Sequence, residues 1–276
     1  GTRFSGNGDS LSFGYWQRDP VHAVGWGNGG NQVTPGPHVV GPTITRALHA
    51  GDDVDVNDHF VVEDAAIPGA LAGVFHEIVT NAAILHQLDG WTFKGADPLA
   101  RTVQGAQHTQ TFLTMGHDGS RGELRYGAHG RTRIHWPTLA ADTRSRRYDA
   151  TISAVGALGA TYLPNPLNTP IPRSLEWALA HVQSGGRGVT VHPLGGCPMG
   201  DDGASGVVDE RGAVFLASGT TRTHPGLYVL DGAIIPTSLG TNPFLTIAVL
   251  AERAMPALIA YARSGRGDRE VAPGSS

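Results

Sequence analysis

The sequence predicts a loop-rich α/β (α+β) protein. Its 276 residues are enough to bury a sizeable core, and its 39 glycines and 18 prolines are a high share for a helical protein. Short apolar runs of strand length recur along the chain, and three stretches carry apolar residues at helical spacing. The formal net charge of −4, with 16% charged residues, argues against a nucleic-acid or membrane-surface protein.

Strands are predicted where apolar and polar residues alternate or where short apolar runs occur. The candidates are 53–56, 60–62, 111–115, 124–126, 133–136 and 227–230. Thr111–Met115 and Leu124–Tyr126 flank a turn at Asp118–Gly119, which indicates a hairpin. Leu227–Leu230 is continuously apolar, which is typical of a strand buried on both faces of a sheet.

Three helices are predicted, at Pro68–Leu85, at 173–184 and at Pro243–Ala262. Pro256 is expected to kink or split the last one, because proline lacks the N–H that an interior helix position needs. Glu252 and Arg253 interrupt its apolar run, which argues against a transmembrane segment. A solvated, disordered tail is expected from about residue 263.

A glycine-rich segment at Gly25–Gly30 satisfies the dinucleotide pattern G-x-G-x-x-G. That pattern binds a pyrophosphate only between a strand and the start of a helix, where backbone N–H groups face the phosphates. Pro35 and Pro37 follow too closely for a helix to begin. We interpret the segment as a loop, so these 276 residues hold no nucleotide fingerprint.

The strongest pattern lies in the last third of the chain, in the segments Val189–Gly200 and Gly226–Ile247. In the first, a predicted strand leads His192 into a Gly-Gly turn, which would hold the imidazole in place. In the second, a strand ends at Asp231-Gly232, where the absence of a Cβ permits close approach of a ligand. Asn242 is then expected as the N-cap of a helix whose first residue is Pro243.

These two segments resemble the C-terminal signature of the GMC (glucose-methanol-choline) oxidoreductases, most closely in the form that cholesterol oxidases carry. The resemblance is dense over about 189–255. A weaker match, Arg3–Asp9, is similar to the family's segment that leaves the flavin domain. Between them the chain matches only in patches.

The resemblance implies roles for individual residues. His192 matches the histidine that hydrogen-bonds the substrate hydroxyl and assists its deprotonation. Asn242 matches the asparagine that places the alcohol beside the flavin, where many relatives carry a second histidine. Asp231, Gly232 and Phe244 match positions lining the FAD, and the helix beginning at Pro243 would point its N-terminus at the flavin. A helix N-terminus favours the negative charge of reduced flavin.

Glu63 is a looser match to the glutamate that serves cholesterol oxidases as a mobile acid–base group. Moving a double bond within a sterol needs such a proton shuttle. The alternative is an acidic residue that merely favours the dipole of a following helix. Asp64 is its neighbour and rival for either role.

The resemblance also implies an architecture and an activity. Residues 1–12 would leave the FAD domain, 13–188 would form a substrate domain with a mixed sheet, and 189–276 would return to the FAD domain. We therefore expect a fragment of a two-domain flavoprotein whose N-terminal nucleotide-binding half is missing. The implied reaction oxidises a small-molecule alcohol, a sterol or another apolar alcohol, to a carbonyl.

Two other functions stay open at this point. The same fold could serve as a flavin-free binding or scaffold domain, or as an inactive fragment. Cys197 lies five residues after His192, and such a pair could indicate a cysteine hydrolase. No third group that would orient the pair is visible. The thirteen histidines show no metal-ligand spacing, so no metal site is predicted. No signal peptide is visible, which leaves the compartment open.

Overall fold

The computed structural model describes residues 1–21, 44, 46–51, 55–66, 108–127, 130–137, 141–165 and 190–264. The chain divides into two compact units. The first, called here the sheet unit, comprises Asp9–Met115 and Thr138–Val189. The second, the three-segment unit, comprises Gly1–Gly8, Gly116–Pro137 and Thr190–Ser276.

The described elements are nine strands and two α-helices, in agreement with the predicted mixed α/β class. The strands are β1 Ser10–Tyr15, β2 Ala47–Ala50, β3 Phe60–Ala65, β4 Gln110–Gly116, β5 Glu123–Tyr126, β6 Thr132–His135, β7 Thr161–Pro164, β8 Ala213–Phe215 and β9 Thr223–Tyr228. The helices are α1 Ala141–Ala157 and α2 Phe244–Arg263.

The sheet unit is built on a five-stranded sheet with the strand order β2-β3-β4-β1-β7. Strand β1 pairs antiparallel with both β4 and β7, and β2 pairs antiparallel with β3. Successive side chains of a strand face opposite sides of the sheet. Phe60 and Val62 accordingly pack with Val155 of α1, whereas Val61 packs with Met115 in a separate cluster. Both faces of the central strands are therefore buried.

Helix α1 was not predicted, because its buried positions do not form an apolar stripe. Arg147, Thr151 and Val155 are buried at successive fourth positions, but two of them are polar. The Thr151 hydroxyl donates to the Arg147 carbonyl at 2.8 Å. A binary apolar pattern cannot reveal a face of this composition.

Two strand predictions in this part of the chain were wrong. Asp55–Asp58 forms a turn, because the Asp55 carboxylate accepts hydrogen bonds from the backbone and side-chain nitrogens of Asn57. The hairpin expected between 111–115 and 124–126 does not form either: β4 pairs with β1, and β5 pairs with β6. The segment between β4 and β5 is held by Asp118, which binds residues near the start of the chain.

The three-segment unit contains the β5–β6 hairpin, the β8–β9 pair and α2. Its core consists of Leu194, Val208, Ile234 and Ile235, against which Ile247 of α2 packs. A strand buried on both faces was expected at 227–230, but the strand found is Thr223–Tyr228, whose partner among the described strands is β8. Leu227 is 51% exposed, so the expected burial is wrong.

Helix α2 was predicted within one residue at either end, but its cap residue was predicted wrongly. Pro243, not Asn242, occupies the cap position, because the N–H of Ile247 bonds the Pro243 carbonyl. Pro256 does not split the helix. It lies on an exposed part of the helix, where water can replace the lost bond.

By length and composition alone, α2 could cross a membrane, with a mean hydropathy of 1.5 and 6% burial. One such helix is weak support for a span, because the core helix of a soluble protein can be equally long and apolar. The helices predicted at 68–85 and 173–184, the loop at 25–30 and the tail beyond 264 lie outside the described residues. The division into flavin and substrate domains stays a prediction.

Candidate active site

A cavity of about 610 Å³ lies in the three-segment unit. Two turns, the N-terminus of α2 and two side chains from distant parts of the chain form its walls. Its lining residues are Phe4, Leu124, Val191, His192, Pro193, Gly195, Asp231, Gly232, Ala233, Asn242, Pro243, Phe244 and Ile247. Most of these side chains are apolar, and the titratable ones are His192 and Asp231. The cavity therefore suits a largely apolar ligand with polar groups at one edge.

His192 lies in a bend rather than at the end of a strand, as the sequence had suggested. Its backbone N–H donates to the Thr190 hydroxyl at 2.9 Å, and the ring is half-buried. Leu194 then exchanges two backbone hydrogen bonds with Ser5, each of 2.9 Å. The turn that carries His192 is thus held by the first residues of the chain.

Gly195 is required by this arrangement. Its φ of +74° lies in the left-handed region, and a Cβ there would be 1.9 Å from the Arg3 carbonyl oxygen. No other residue could make the turn while Arg3–Ser5 pass so close. The Gly-Gly turn predicted after His192 has this steric cause.

Asp231 and Gly232 form the second wall. The Asp231 carboxylate accepts the backbone N–H of Ala233 at 2.9 Å and so caps the short 3₁₀ turn Gly232–Ile234. A Cβ on buried Gly232 would lie 2.9 Å from the Pro193 carbonyl oxygen. The two turns are therefore in backbone contact, and a side chain at Gly232 would push them apart.

The third wall is the start of α2. Asn242 is half-buried, Pro243 is buried, and Phe244 is 80% exposed. Pro243 provides no side-chain cap, and the N–H groups of a first helical turn have no partner within their helix. Their partial positive charge lies at the cavity, which favours an anionic group there.

The predicted site residues divide between the two units. His192, Asn242, Asp231, Gly232, Pro243 and Phe244 all line the one cavity. Glu63 is 5% exposed on β3 of the sheet unit. Asp64 accepts the backbone N–H of Arg46 at 2.8 Å, and this bond holds the residue that precedes β2. The catalytic role of Glu63 stays a prediction.

Several lining residues were not predicted. Phe4 and Leu124 come from segments more than a hundred residues apart, and no spacing rule connects such positions. Ile247, by contrast, lies on the first turn of α2 and could have been inferred from the helix. Cys197 is half-buried, and its backbone N–H bonds the Ala233 carbonyl. Over the described part of the chain, no group of three potential metal ligands occurs.

Known proteins resemble this chain in sequence. The model of the GMC oxidoreductase C-terminal region matches residues 91–251, more than half of the chain. A cholesterol oxidase from Mycobacterium tuberculosis is 39% identical over 101 residues, which cover 33% of this chain and 16% of that protein.

Two further relatives match shorter stretches. A cholesterol oxidase from Acinetobacter baumannii is 44% identical over 66 residues, covering 24% of this chain and 11% of that protein. A paromamine 6'-oxidase from Streptomyces fradiae is 40% identical over 80 residues, covering 29% and 14%. The matched stretches span less than a fifth of the length of these relatives. The extent of the family match is decisive: the chain belongs to the GMC oxidoreductase family.

Proposed function

We propose that this chain supplies the catalytic pair and one wall of the flavin site of a FAD-dependent enzyme that oxidises an alcohol to a carbonyl. The observation that carries the proposal is the meeting of His192, Asn242 and the N-terminus of α2 at one cavity. A proton acceptor, a polar positioning group and an anion-favouring helix end are the groups that such an oxidation needs.

The cavity fits a flavin ring system. Its walls are mainly apolar, which suits a flat aromatic ring, and backbone rather than side chain lies at Gly232. Asp231, Gly232, Pro243 and Phe244 would hold the ring. The end of α2 would favour the charge that the ring gains on reduction. When bound, FAD supplies the hydride acceptor, and the hydride chemistry belongs to the cofactor.

The chain's own contribution is to hold the alcohol and to take its proton. His192 would accept the hydroxyl proton as the carbinol carbon gives up a hydride, so that a carbonyl forms. Asn242 would hydrogen-bond the same oxygen and keep it beside His192. Fixing an oxygen in this way removes an orientational cost from the reaction.

The substrate class follows from the relatives and is part of the proposal. Two of them are named for cholesterol and one for paromamine. The two matches to cholesterol oxidases carry the choice of a sterol or another apolar alcohol as the substrate class.

A nucleotide-binding half is proposed to complete the site. The matched relatives are much longer than the matched stretches. Leu227, Phe244, Leu245 and Val249 are each more than half exposed. Phe244, Leu245 and Val249 fall within the first two turns of α2, and a cluster of exposed apolar side chains favours a contact with another protein part. We infer that the flavin-binding half is that partner.

His192→Ala and Asn242→Ala test the proposal in the enzyme assembled with that half. Each should lower kcat by about a hundredfold or more while flavin absorbance is retained. His224→Ala, an exposed histidine of the same unit, is the control and should be fully active. Near wild-type turnover of a site variant would refute that residue's role. A wild-type protein without flavin absorbance would favour a flavin-free binding domain.

A further inference from the structure

The Asn7 side chain makes three hydrogen bonds to the loop that leads into Asn242, although Asn7 does not line the cavity. It is fully buried at 0% exposure. Its Oδ1 accepts the backbone N–H groups of Leu239 at 2.8 Å and of Gly240 at 3.0 Å. Its Nδ2 donates to the carbonyl of Thr241 at 2.8 Å. One amide thus binds three consecutive residues, and the next residue along the chain is Asn242.

The loop held by Asn7 has no regular secondary structure of its own. Gly240 has a φ of +68°, a left-handed conformation that does not belong to a right-handed helix or a strand. Regular backbone hydrogen bonding therefore does not fix this residue. The backbone N–H of Ser238 donates to the Ser120 hydroxyl at 2.8 Å and anchors the start of the loop. At its far end, the Asn7 side chain holds the Thr241 carbonyl, one residue before Asn242.

Gly6, the neighbour of Asn7, is connected through Thr190 to His192, the other member of the proposed catalytic pair. The Thr190 hydroxyl donates to the Gly6 carbonyl at 3.1 Å and accepts the backbone N–H of His192 at 2.9 Å. Gly6 in turn donates its N–H to the Asp118 carboxylate at 2.8 Å. A Cβ on Gly6 would overlap the Trp136 ring at 1.8 Å, so the Gly6 backbone has little room to move.

We propose that Asn7 is a positioning residue that fixes Asn242 relative to His192. The inference rests on the proposed function, in which those two residues share one substrate oxygen. Gly6 and Asn7 are adjacent, so the backbone between them joins the two hydrogen-bonded chains by one rigid link. A displacement of about 1 Å at a reacting group can cost roughly a hundredfold in rate, so such a link has catalytic value.

Two substitutions separate this role from a general contribution to folding. Asn7 has a φ of +56°, a conformation that glycine adopts freely and that asparagine and aspartate tolerate. Asn7→Gly therefore removes the amide without straining the backbone. Asn7→Asp keeps an acceptor for Leu239 and Gly240 but places an oxygen against the Thr241 carbonyl. Asn165→Gly, which removes an asparagine of 4% exposure from the sheet unit, is the matched control.

The first measurement is hydrogen exchange of the segment 238–242 by mass spectrometry in the flavin-loaded enzyme. Asn7→Gly should speed exchange at Leu239 and Gly240 relative to wild type, because their acceptor is gone. Asn165→Gly should leave that segment unchanged. Unchanged exchange in Asn7→Gly would overturn the proposal without reference to turnover.

The second measurement is kcat in a double-mutant cycle with Asn242→Ala. Asn7→Gly alone should lower kcat by about 10- to 100-fold with flavin retained. In the Asn242→Ala background it should cost less than about threefold more, because Asn7 acts through Asn242. The proposal would be overturned if the losses of the two single variants multiplied in the double variant. It would also be overturned if Asn7→Gly had wild-type kcat or lost its flavin. If Asn7→Gly does not fold, Asn7→Asp is judged by the same criteria.

The cycle also separates this inference from the proposed function. An Asn242→Ala enzyme with wild-type turnover would refute the proposed role of Asn242 itself. A slow Asn242→Ala enzyme combined with a silent Asn7→Gly would refute the positioning role alone.

Discussion

Glu63 and Asp64 are adjacent carboxylic acids whose surroundings differ. Glu63 is 5% exposed, in a strand whose neighbours on either face are apolar. Asp64 is half-buried and is engaged by the backbone of Arg46, which gives it a structural task at the edge of the sheet. A buried acid is retained in an apolar sheet when it has partners or a function. The two residues are therefore unequal candidates for a proton shuttle.

Replacing Glu63 by glutamine tests the shuttle and the sterol hypothesis together. The variant keeps the size of the side chain and removes the acid. In the assembled enzyme, migration of the double bond in a β,γ-unsaturated sterol ketone should fall by about a hundredfold or more, and alcohol oxidation should persist.

Asp64→Asn keeps an acceptor for Arg46 and is the control, with both activities retained. Normal isomerisation by the Glu63 variant, or a wild-type enzyme that rejects sterols, would return Glu63 to a structural role.

At the residue scale, local backbone rules predicted the glycine turn after His192 and the start of α2. The roles of His192, Asn242 and Asp231 came from the resemblance to the GMC signature and stay predictions. Gly195 and Gly232 meet steric demands that their glycine context already suggested. Phe4, Leu124 and Asn7 were not located. Phe4 and Leu124 reach the cavity, and Asn7 reaches the loop before Asn242, through contacts between distant segments that no local pattern encodes.

At the scale of elements, apolar periodicity succeeded where it was strong. Helix α2 was predicted nearly to its ends because its apolar residues and Pro243 agree. Helix α1 was missed because two of its buried residues, Arg147 and Thr151, are polar and interrupt the apolar periodicity of its buried face. Strand pairing was mispredicted at β4 and β5, since spacing along the chain does not reveal that Asp118 is bound by Ser5 and Gly6.

The loop at 201–206 provides a test at this scale. Asp202 accepts hydrogen bonds from the backbone of Ser205, the backbone of Ala204 and the Ser205 hydroxyl, and these bonds hold the pKa of its carboxyl below the usual value. A carboxyl whose pKa is lowered by folding stabilises the fold above its unfolded pKa of about 3.9. That contribution is lost as the pH falls through the lower, folded value.

Asp202→Ala should accordingly lower the Tm at pH 7, and the difference from wild type should shrink as the pH is taken below about 3.9. Thermal unfolding followed by circular dichroism measures both. Asp201→Ala leaves the three bonds to Asp202 in place and is the control for loss of one charge from this loop. A Tm difference for Asp202→Ala that stays constant with pH would contradict the assignment.

At the scale of the whole molecule, the exposed apolar surface of the three-segment unit is the dominant feature. Strand β9 contributes Leu227, and α2 contributes Phe244, Leu245 and Val249. Exposed apolar side chains of this size favour association with other chains.

The chain on its own, without the proposed nucleotide-binding half, should therefore self-associate, as measured by light scattering over a range of concentrations. Leu227→Lys and Val249→Lys should each reduce the scattering by placing a charge in that surface. Val56→Lys replaces a valine of 62% exposure in the sheet unit and is the matched control. Equal effects of all three substitutions would show that net charge, and not this surface, controls association.

The three-segment unit brings together residues that a ribosome makes far apart in time. Asn7 and Thr241 are separated by 234 positions, so at a synthesis rate of about 5–20 residues per second Asn7 waits roughly 10–50 s for its partner. Every strand of the five-stranded sheet precedes residue 165, so that sheet can form while the rest of the chain is still being made. The proposed catalytic pair is then assembled last, when the later segments bind Ser5–Asn7. A change in the translation rate beyond residue 165 should therefore alter the fraction of chains with a complete site more than the fraction with a folded five-stranded sheet.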